Sequence, residues 1–383
     1  MQKGKFNIVT DGQYGSCGKG LITSAISSRF RPDILSTTNL PNAGHTAVNT
    51  NGQKFVAKAL PSAAILTKWV DGYKPHIVVG AGAAFDLQQM LHEIEICDTH
   101  DRLHIHPRAG VVTEVHRLAE SDDGDSSTKH LASTMQGCGA FLADKILRKK
   151  NLKLARDYIE LNDYMPRHLS KKIGIINDLE DQPLHMQLYK LMVNHKYTIL
   201  HEGAQGFSLD INHGQGYPSC TSRGTTATQN LADMGIGHCL LGDIYLVLRP
   251  YPIRVGNVYE DGKQVGYSGD CYPDQREITW DDVAKASNAP SDISKGEYTT
   301  VTHRLRRVYT YSKQQLTEAV AVNGATKLAL NFANYIDWSC YGCSDYNALP
   351  PKVIDFIKTI EDHAQIPVTI VGTGPQINHV CFL

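Results

Sequence analysis

Residues 12–20 read Gly-Gln-Tyr-Gly-Ser-Cys-Gly-Lys-Gly and follow the apolar run at residues 6–10. A buried strand that opens into a glycine-rich turn ending in Gly-Lys points to a phosphate-binding loop. The glycines let backbone N–H groups face phosphate oxygens, and the helix that follows adds the positive end of its dipole. Ser16, Cys17, Gly18, Lys19 and Gly20 form the expected cradle, with Lys19 neutralising charge on a transferring phosphate. The match to the common P-loop pattern is incomplete. That pattern has glycine at position 13 and Ser or Thr at position 20. This chain has Gln13 and Gly20, so the hydroxyl that usually holds magnesium is missing. The competing reading is a glycine-rich strand-to-helix turn with a surface lysine.

Around this loop the chain alternates between two periods. Apolar runs at residues 6–10, 77–80, 198–200, 245–248, 327–330 and 368–371 predict buried strands. Helical spacing covers 87–96, 140–149, 184–193, 314–322 and 353–363. Such alternation implies an α/β fold with a mostly parallel central sheet covered by helices, and loops at the carboxyl ends of strands carrying the site. Residues 256–300 are polar, rich in Gly, Pro and Asp, and weakly periodic, and are expected to be long functional loops. The expectation is one α/β domain over 1–383 with inserted loop subdomains. A net charge of −1 gives no reason to invoke nucleic acid or an anionic membrane. The first residues lack the apolar core of a signal peptide, and no stretch is long enough to span a bilayer. Nine scattered cysteines fit reduced thiols and a cytoplasmic enzyme. Cys340 and Cys343 form one Cys-x-x-Cys, without the second pair that a zinc site needs.

Several further motifs recur in order. They are Asn42-Ala43-Gly44-His45-Thr46, Ser133-Thr134, Asp144-Lys145, Glu202-Gly203-Ala204-Gln205-Gly206, Thr221-Ser222, Arg254-Val255-Gly256, residues 302–307 and Gly372-Thr373-Gly374-Pro375. With the glycine-rich loop, this series resembles the adenylosuccinate synthetase family along most of the chain. The resemblance implies a two-step reaction. A γ-phosphoryl group moves to O6 of a purine nucleotide, and the amino group of L-aspartate then displaces that phosphate. It also implies roles. Lys19 grips phosphate. The Gly44 carbonyl and the residue at position 16 contact Mg2+, and His45 is the general acid. Gln205 holds the purine near O6, and Asn42, Ser133, Thr134 and Thr221 bind the nucleotide monophosphate. Thr46, Asn331, Asn334, Gly372 and Gly374 fall in the donor-nucleotide site. Gly256, Val301, Thr302, Arg304, Arg306 and Arg307 fall around L-aspartate, whose carboxylates guanidinium groups bind in bidentate fashion. Arg148 matches an arginine that the family lends across a homodimer interface. From the residues alone it is equally an ordinary charge at a helix end.

Three positions depart from the family. Ser16 stands where the family has an aspartate that acts as a base and touches magnesium. A positioned base is typically worth about 10²–10⁴-fold. Serine leaves space and hydrogen-bonding capacity for a purine with a 2-amino group. Residues 331–334, Asn-Phe-Ala-Asn, replace the family's Thr-Lys-x-Asp, whose aspartate reads guanine. Adenine is then the expected donor base, so ATP or dATP is the donor. Leu305 stands where an arginine approaches the ribose 2′-hydroxyl, which suits a deoxyribose. Together these changes resemble the phage branch of the family, the 2-aminoadenylosuccinate synthetases, with dGMP as acceptor. The alternatives are an ordinary member using IMP and GTP, an inactive nucleotide-binding relative, and a GTPase-type switch. Retention of Lys19 and His45 argues against the inactive relative.

Overall fold

The computed structural model describes all residues of the chain except 122, 123, 126, 167, 168, 170–181, 300 and 301. Its centre is a nine-stranded sheet. In spatial order the strands are Val380–Phe382, Val368–Gly372, Lys327–Leu330, Leu241–Leu248, Phe6–Asp11, Ile199–Glu202, Ile34–Thr37, His76–Val79 and Leu103–Ile105. All neighbours pair in parallel except the antiparallel edge strand Val380–Phe382. Each predicted run at 6–10, 77–80, 198–200, 245–248, 327–330 and 368–371 lies on one of these strands, and each predicted helix is present.

Alternation along the strands feeds two cores. Val9, Leu35, Val79, Leu200, Val247 and Ala329 pack on one face, against Leu21, Ile22 and Ile26 of the helix Lys19–Phe30. Ile8, Ile34, Val78, Ile199, Leu246, Leu328 and Leu330 pack on the other, against Leu188, Leu191, Ile357 and Ile360. A fully buried Leu or Ile contributes about 1.5–3 kcal/mol, so a charge at Leu246 would break the sheet. The central strand Phe6–Asp11 lies between Leu241–Leu248 and Ile199–Glu202. The loops that leave two neighbouring strands, at residues 12–18 and 203–206, therefore open together at one end of the sheet, as open α/β sheets require of a ligand site.

Residues 256–300 differ from the loops that the sequence implied. They contain the hairpin Val258–Glu260 with Lys263–Gly266, the strand Glu277–Ile278 and the helix Trp280–Ser287. The helix begins with a capping box in which Thr279 and Asp282 exchange hydrogen bonds. It buries Trp280, Val283 and Ala284, and Trp280 and Val283 pack with Ile253, Val308 and Tyr335. Spacing of i, i+3, i+4 marks it as helical, but the stretch is only eight residues long. No helix among the described residues is long and apolar enough to cross a membrane.

Candidate active site

The two loops form one wall of a cavity of about 500 Å³ at the carboxyl end of the sheet. The glycine-rich loop is shaped from within by Asp11. Its carboxylate is fully buried and accepts the N–H of Gln13 at 2.9 Å, of Gly15 at 3.3 Å and of Cys17 at 3.1 Å. Lys19 Nζ lies 3.3 Å from Asp11 Oδ2 and donates to the Gln205 carbonyl at 2.7 Å. Asp11 is thereby spent on the loop and is not a free base. The Cys17 thiol is fully buried. Burial, and Asp11 beside it, push its pKa well up, so it is not reactive. Gly20 has a steric reason. A Cβ there would meet the Thr46 carbonyl at 2.5 Å, because the strand His45–Val48 crosses the start of the helix. A hydroxyl side chain would not fit.

That strand delivers His45. Its Nδ1 lies 3.1 Å from Glu202 Oε1, at the end of the strand beside the glycine-rich loop. Glu202 is fully buried and also accepts the Ser62 N–H at 2.6 Å and the Ser62 hydroxyl at 2.9 Å. Burial opposes its ionisation, but His45 and Ser62 outweigh that and hold its pKa below the usual carboxylate range. Glu202 fixes the imidazole through Nδ1 and leaves Nε2 to act. Sequence reasoning quoted this residue inside a motif without giving it a role. Its signal is an acidic residue at the end of an apolar strand.

Ser16, Gly18, Lys19, Gly20, Asn42, Gly44, His45, Thr46, Ser133, Thr134, Gln205 and Thr221 all line the cavity. Four lining residues, Ser16, Ala132, Gln205 and Phe332, hold positive φ of 57°, 53°, 59° and 59° without being glycine. Such strain costs about 1–3 kcal/mol each and gathers at functional sites.

At residues 331–334, where the resemblance implies the donor base, the structure turns the asparagines inward. Asn331 is buried, and its amide donates to the Cys17 carbonyl at 3.0 Å and accepts from Phe332 N–H at 2.9 Å. Gly372 gives it room, since a Cβ there would lie 2.1 Å from Asn331 Oδ1. The expected base contact by Asn331 is thus replaced by a tie to the phosphate loop, and the ring of Phe332 faces the cavity instead. Asn334 is buried, with an Oδ1 that has no hydrogen-bond partner among the described residues. Gly374 lies against His379, away from the cavity lining.

The arginine segment also differs from expectation. Arg304 donates to Thr302 Oγ1 at 3.0 Å and to the carbonyls of Gly256, Ala132 and Ser133 at 3.2, 2.8 and 3.0 Å. Arg307 grips Glu277 in bidentate fashion, at 2.6 and 3.0 Å, and the Gly269 carbonyl at 2.7 Å. Both therefore brace the loops around the cavity. Arg306 lines the cavity, and its guanidinium forms no hydrogen bond or ion pair among the described residues. Gly256 is needed because a Cβ would meet the Leu305 carbonyl at 2.2 Å. The Leu305 side chain sits beside Gly296 near Trp280 and does not line the cavity. His303 has φ 51°, a conformation that the family's glycine adopts without strain. Val301 lies outside the described residues. Arg148 is exposed at the end of the helix Cys138–Ile146, away from the cavity.

Sheet order, phosphate loop and supported histidine together define a nucleotide-dependent α/β enzyme. The adenylosuccinate synthetase model matches residues 8–182 and 182–338. The chain belongs to the adenylosuccinate synthetase family, and it is an enzyme that ligates aspartate to a purine nucleotide. It is 33% identical to N6-succino-2-amino-2′-deoxyadenylate synthase of Salmonella phage PMBT28, across 98% of this chain and 97% of that one. It is 30% identical to adenylosuccinate synthetase of Pyrococcus horikoshii, across 97% of each. Cyanophage S-2L succinoaminodeoxyadenylate synthetase, bound to dGMP and to dATP as an energy donor, superposes with a TM-score of 0.76 at 30% identity, covering 99% of this chain and 95% of that one.

Proposed function

We propose that this chain joins L-aspartate to C6 of dGMP at the expense of ATP or dATP. The γ-phosphoryl group passes to O6 of the purine, releasing the nucleoside diphosphate. The α-amino group of aspartate then attacks C6, and the C6–O bond breaks with loss of inorganic phosphate. The product is N6-succino-2-amino-2′-deoxyadenylate, a precursor for 2-aminoadenine in DNA. The observation that carries the reading is Ser16. It is exposed on the cavity wall, on a strained backbone, where the resemblance implies a carboxylate. A hydroxyl accepts a hydrogen bond from an exocyclic amino group and also donates one.

Phosphoryl transfer is chiefly positioning and charge neutralisation. Lys19 swings from the Gln205 carbonyl to the transferring phosphate. His45, oriented by Glu202, donates from Nε2 to the oxygen that gains charge. Gln205 holds O6, while Asn42, Ser133, Thr134 and Thr221 bind the acceptor. Phe332 offers a stacking face to adenine, while Asn334 is buried behind it. Arg306 is the guanidinium left to take an aspartate carboxylate. Magnesium, bound with the donor phosphates, supplies charge neutralisation. Gly44 and Ser16 fit it as neutral oxygen donors, completed by phosphate and water, as hard dications accept. Val115, Leu118, Ile146 and Leu147 are 59–77% exposed on two neighbouring helices beside Arg148. Such an apolar patch favours a homodimer that brings Arg148 to a second copy.

The test is phosphate release with L-aspartate and magnesium, comparing dGMP with IMP and adenine nucleotides with GTP. Turnover confined to dGMP with ATP or dATP is expected. Turnover confined to IMP with GTP refutes the proposal and makes the chain an ordinary adenylosuccinate synthetase.

A further inference from the structure

We infer that Arg249 is a positioning residue that couples the donor-base face to the segment that takes aspartate. The inference rests on the functional reading above, in which Phe332 faces the donor base and the segment containing Arg306 meets aspartate. Arg249 follows the strand Leu241–Leu248, and its side chain is fully buried. It touches three parts of the cavity wall at once. Nη2 and Nη1 grip the Glu297 carboxylate at 2.5 and 3.1 Å. Nη1 also donates to the Ser16 carbonyl at 3.2 Å. The guanidinium carbon lies over the Phe332 ring, 4.1 Å from its centroid. The backbone is pinned too, since Arg249 N–H and C=O both bond the Gln13 amide at 3.0 Å.

Each partner leads onward. Glu297 lines the cavity, accepts from Tyr335 O–H at 3.2 Å, and through its carbonyl takes the Arg306 N–H at 2.8 Å. Phe332 is held on the phosphate loop through Asn331. A base stacked on the free face of Phe332 therefore presses on Arg249, and Arg249 sets Glu297 and the backbone of Arg306. A planar fork is required. Lysine would keep the charge but lose the bidentate grip and the guanidinium contact with the ring. Ordering Glu297 and the Arg306 backbone from one side leaves less to order from the other, so occupancy of either site tightens the other, and by the same factor, because coupling between two ligands is reciprocal in binding.

The experiment is calorimetric titration with the β,γ-imido analogue of dATP, with dGMP and magnesium present, with and without L-aspartate. The wild-type chain should bind the analogue at least about fivefold more tightly when aspartate is present, within the usual range of such couplings. In Arg249→Lys the enhancement should fall below about twofold, and Glu297→Gln should lose it equally. Phe332→Leu leaves the buried ion pair intact and should also weaken the enhancement, which keeps the test available if Arg249→Lys does not fold. Equal enhancement in wild type and in folded variants overturns the inference, as does no enhancement in wild type. Failure of the wild-type chain to bind either dGMP or the analogue is a separate result, and it overturns the functional reading itself.

Discussion

Glu202→Gln isolates the charge behind His45. The carboxylate is fully buried, 3.1 Å from His45 Nδ1, and shares its oxygens with Ser62 N–H and O–H. Glutamine keeps the shape and removes the charge. A hydrogen bond to a charged group is worth about 1.5–3 kcal/mol. At about 1.4 kcal/mol per tenfold in rate, kcat should fall by about 10- to 150-fold. The loss must stay below that of His45→Ala, because general acid catalysis itself contributes about 10²–10⁴-fold. Glutamine can present its one oxygen either to His45 or to the Ser62 N–H, so Tm is recorded alongside and should fall by a few degrees. The pH sign follows from the depressed pKa of Glu202. Its stabilising contribution is fully present above the ordinary carboxylate value of about 4.3 and is lost only as pH falls through the lower folded value. The folded Glu202→Gln variant should therefore show its rate deficit unchanged from about pH 6 to about pH 8. A kcat within about threefold of wild type, with the fold intact, would show that the buried charge does not support His45.

Other perturbations separate the remaining parts of the site. Ser16→Asp restores a carboxylate at a backbone conformation that aspartate tolerates, and should lower kcat/KM on dGMP while raising relative activity on IMP. An unchanged preference would remove Ser16 as the acceptor determinant. Lys19→Ala should lose most turnover, and near-normal phosphate release would end its assignment to the phosphates. Phe332→Ala should raise the KM for the adenine donor by about 5- to 150-fold, since stacking on an aromatic ring is worth about 1–3 kcal/mol per base, with a smaller change in the KM for dGMP. Leu118→Asp should shift sedimentation toward a monomer and lower activity at dilute enzyme. An unchanged sedimentation profile would place the subunit contact elsewhere.

Most of the scaffold was legible because buried parallel strands read as apolar runs, and the runs at 245–248 and 327–330 are of that kind. The strands Ile34–Thr37 and Leu103–Ile105 were missed because polar Ser36 and Thr37 end the one apolar run after two residues and His104 interrupts the other. The glycine-rich turn between strand and helix was legible from its glycines, but not the carboxylate that shapes it. Pattern reading assigns charges to the surface, whereas Asp11, Glu202 and Arg249 are buried and spend their charge on loops and on Lys19, His45 and Glu297. The arginine segment failed for a related reason. Counting guanidinium groups shows how many can bind a carboxylate, but Arg304 and Arg307 are already engaged with carbonyls and with Glu277, which depends on how distant segments fold. Leu305 was placed by alignment alone. Its bridge to Tyr298 turns the side chain beside Gly296 instead.

The charges around the cavity explain why a neutral residue at position 16 is consistent with the rest of the wall. Lys19, Lys54, Arg254 and Arg306 line it as cations, and Glu120 and Glu297 as carboxylates. Neither carboxylate is free. Glu120 accepts the N–H groups of Gly137 and Gly139 at 2.7 and 2.6 Å and caps the following helix, while Glu297 is paired with Arg249. The wall therefore carries net positive charge, which suits the three anionic substrates of the proposed reaction. A carboxylate at position 16 would oppose that field unless magnesium or a purine N–H answered it. Serine removes this requirement and moves discrimination from charge to shape and hydrogen bonding. Under the proposed function, an acceptor with one more amino group is then distinguished by a hydroxyl rather than by an ion.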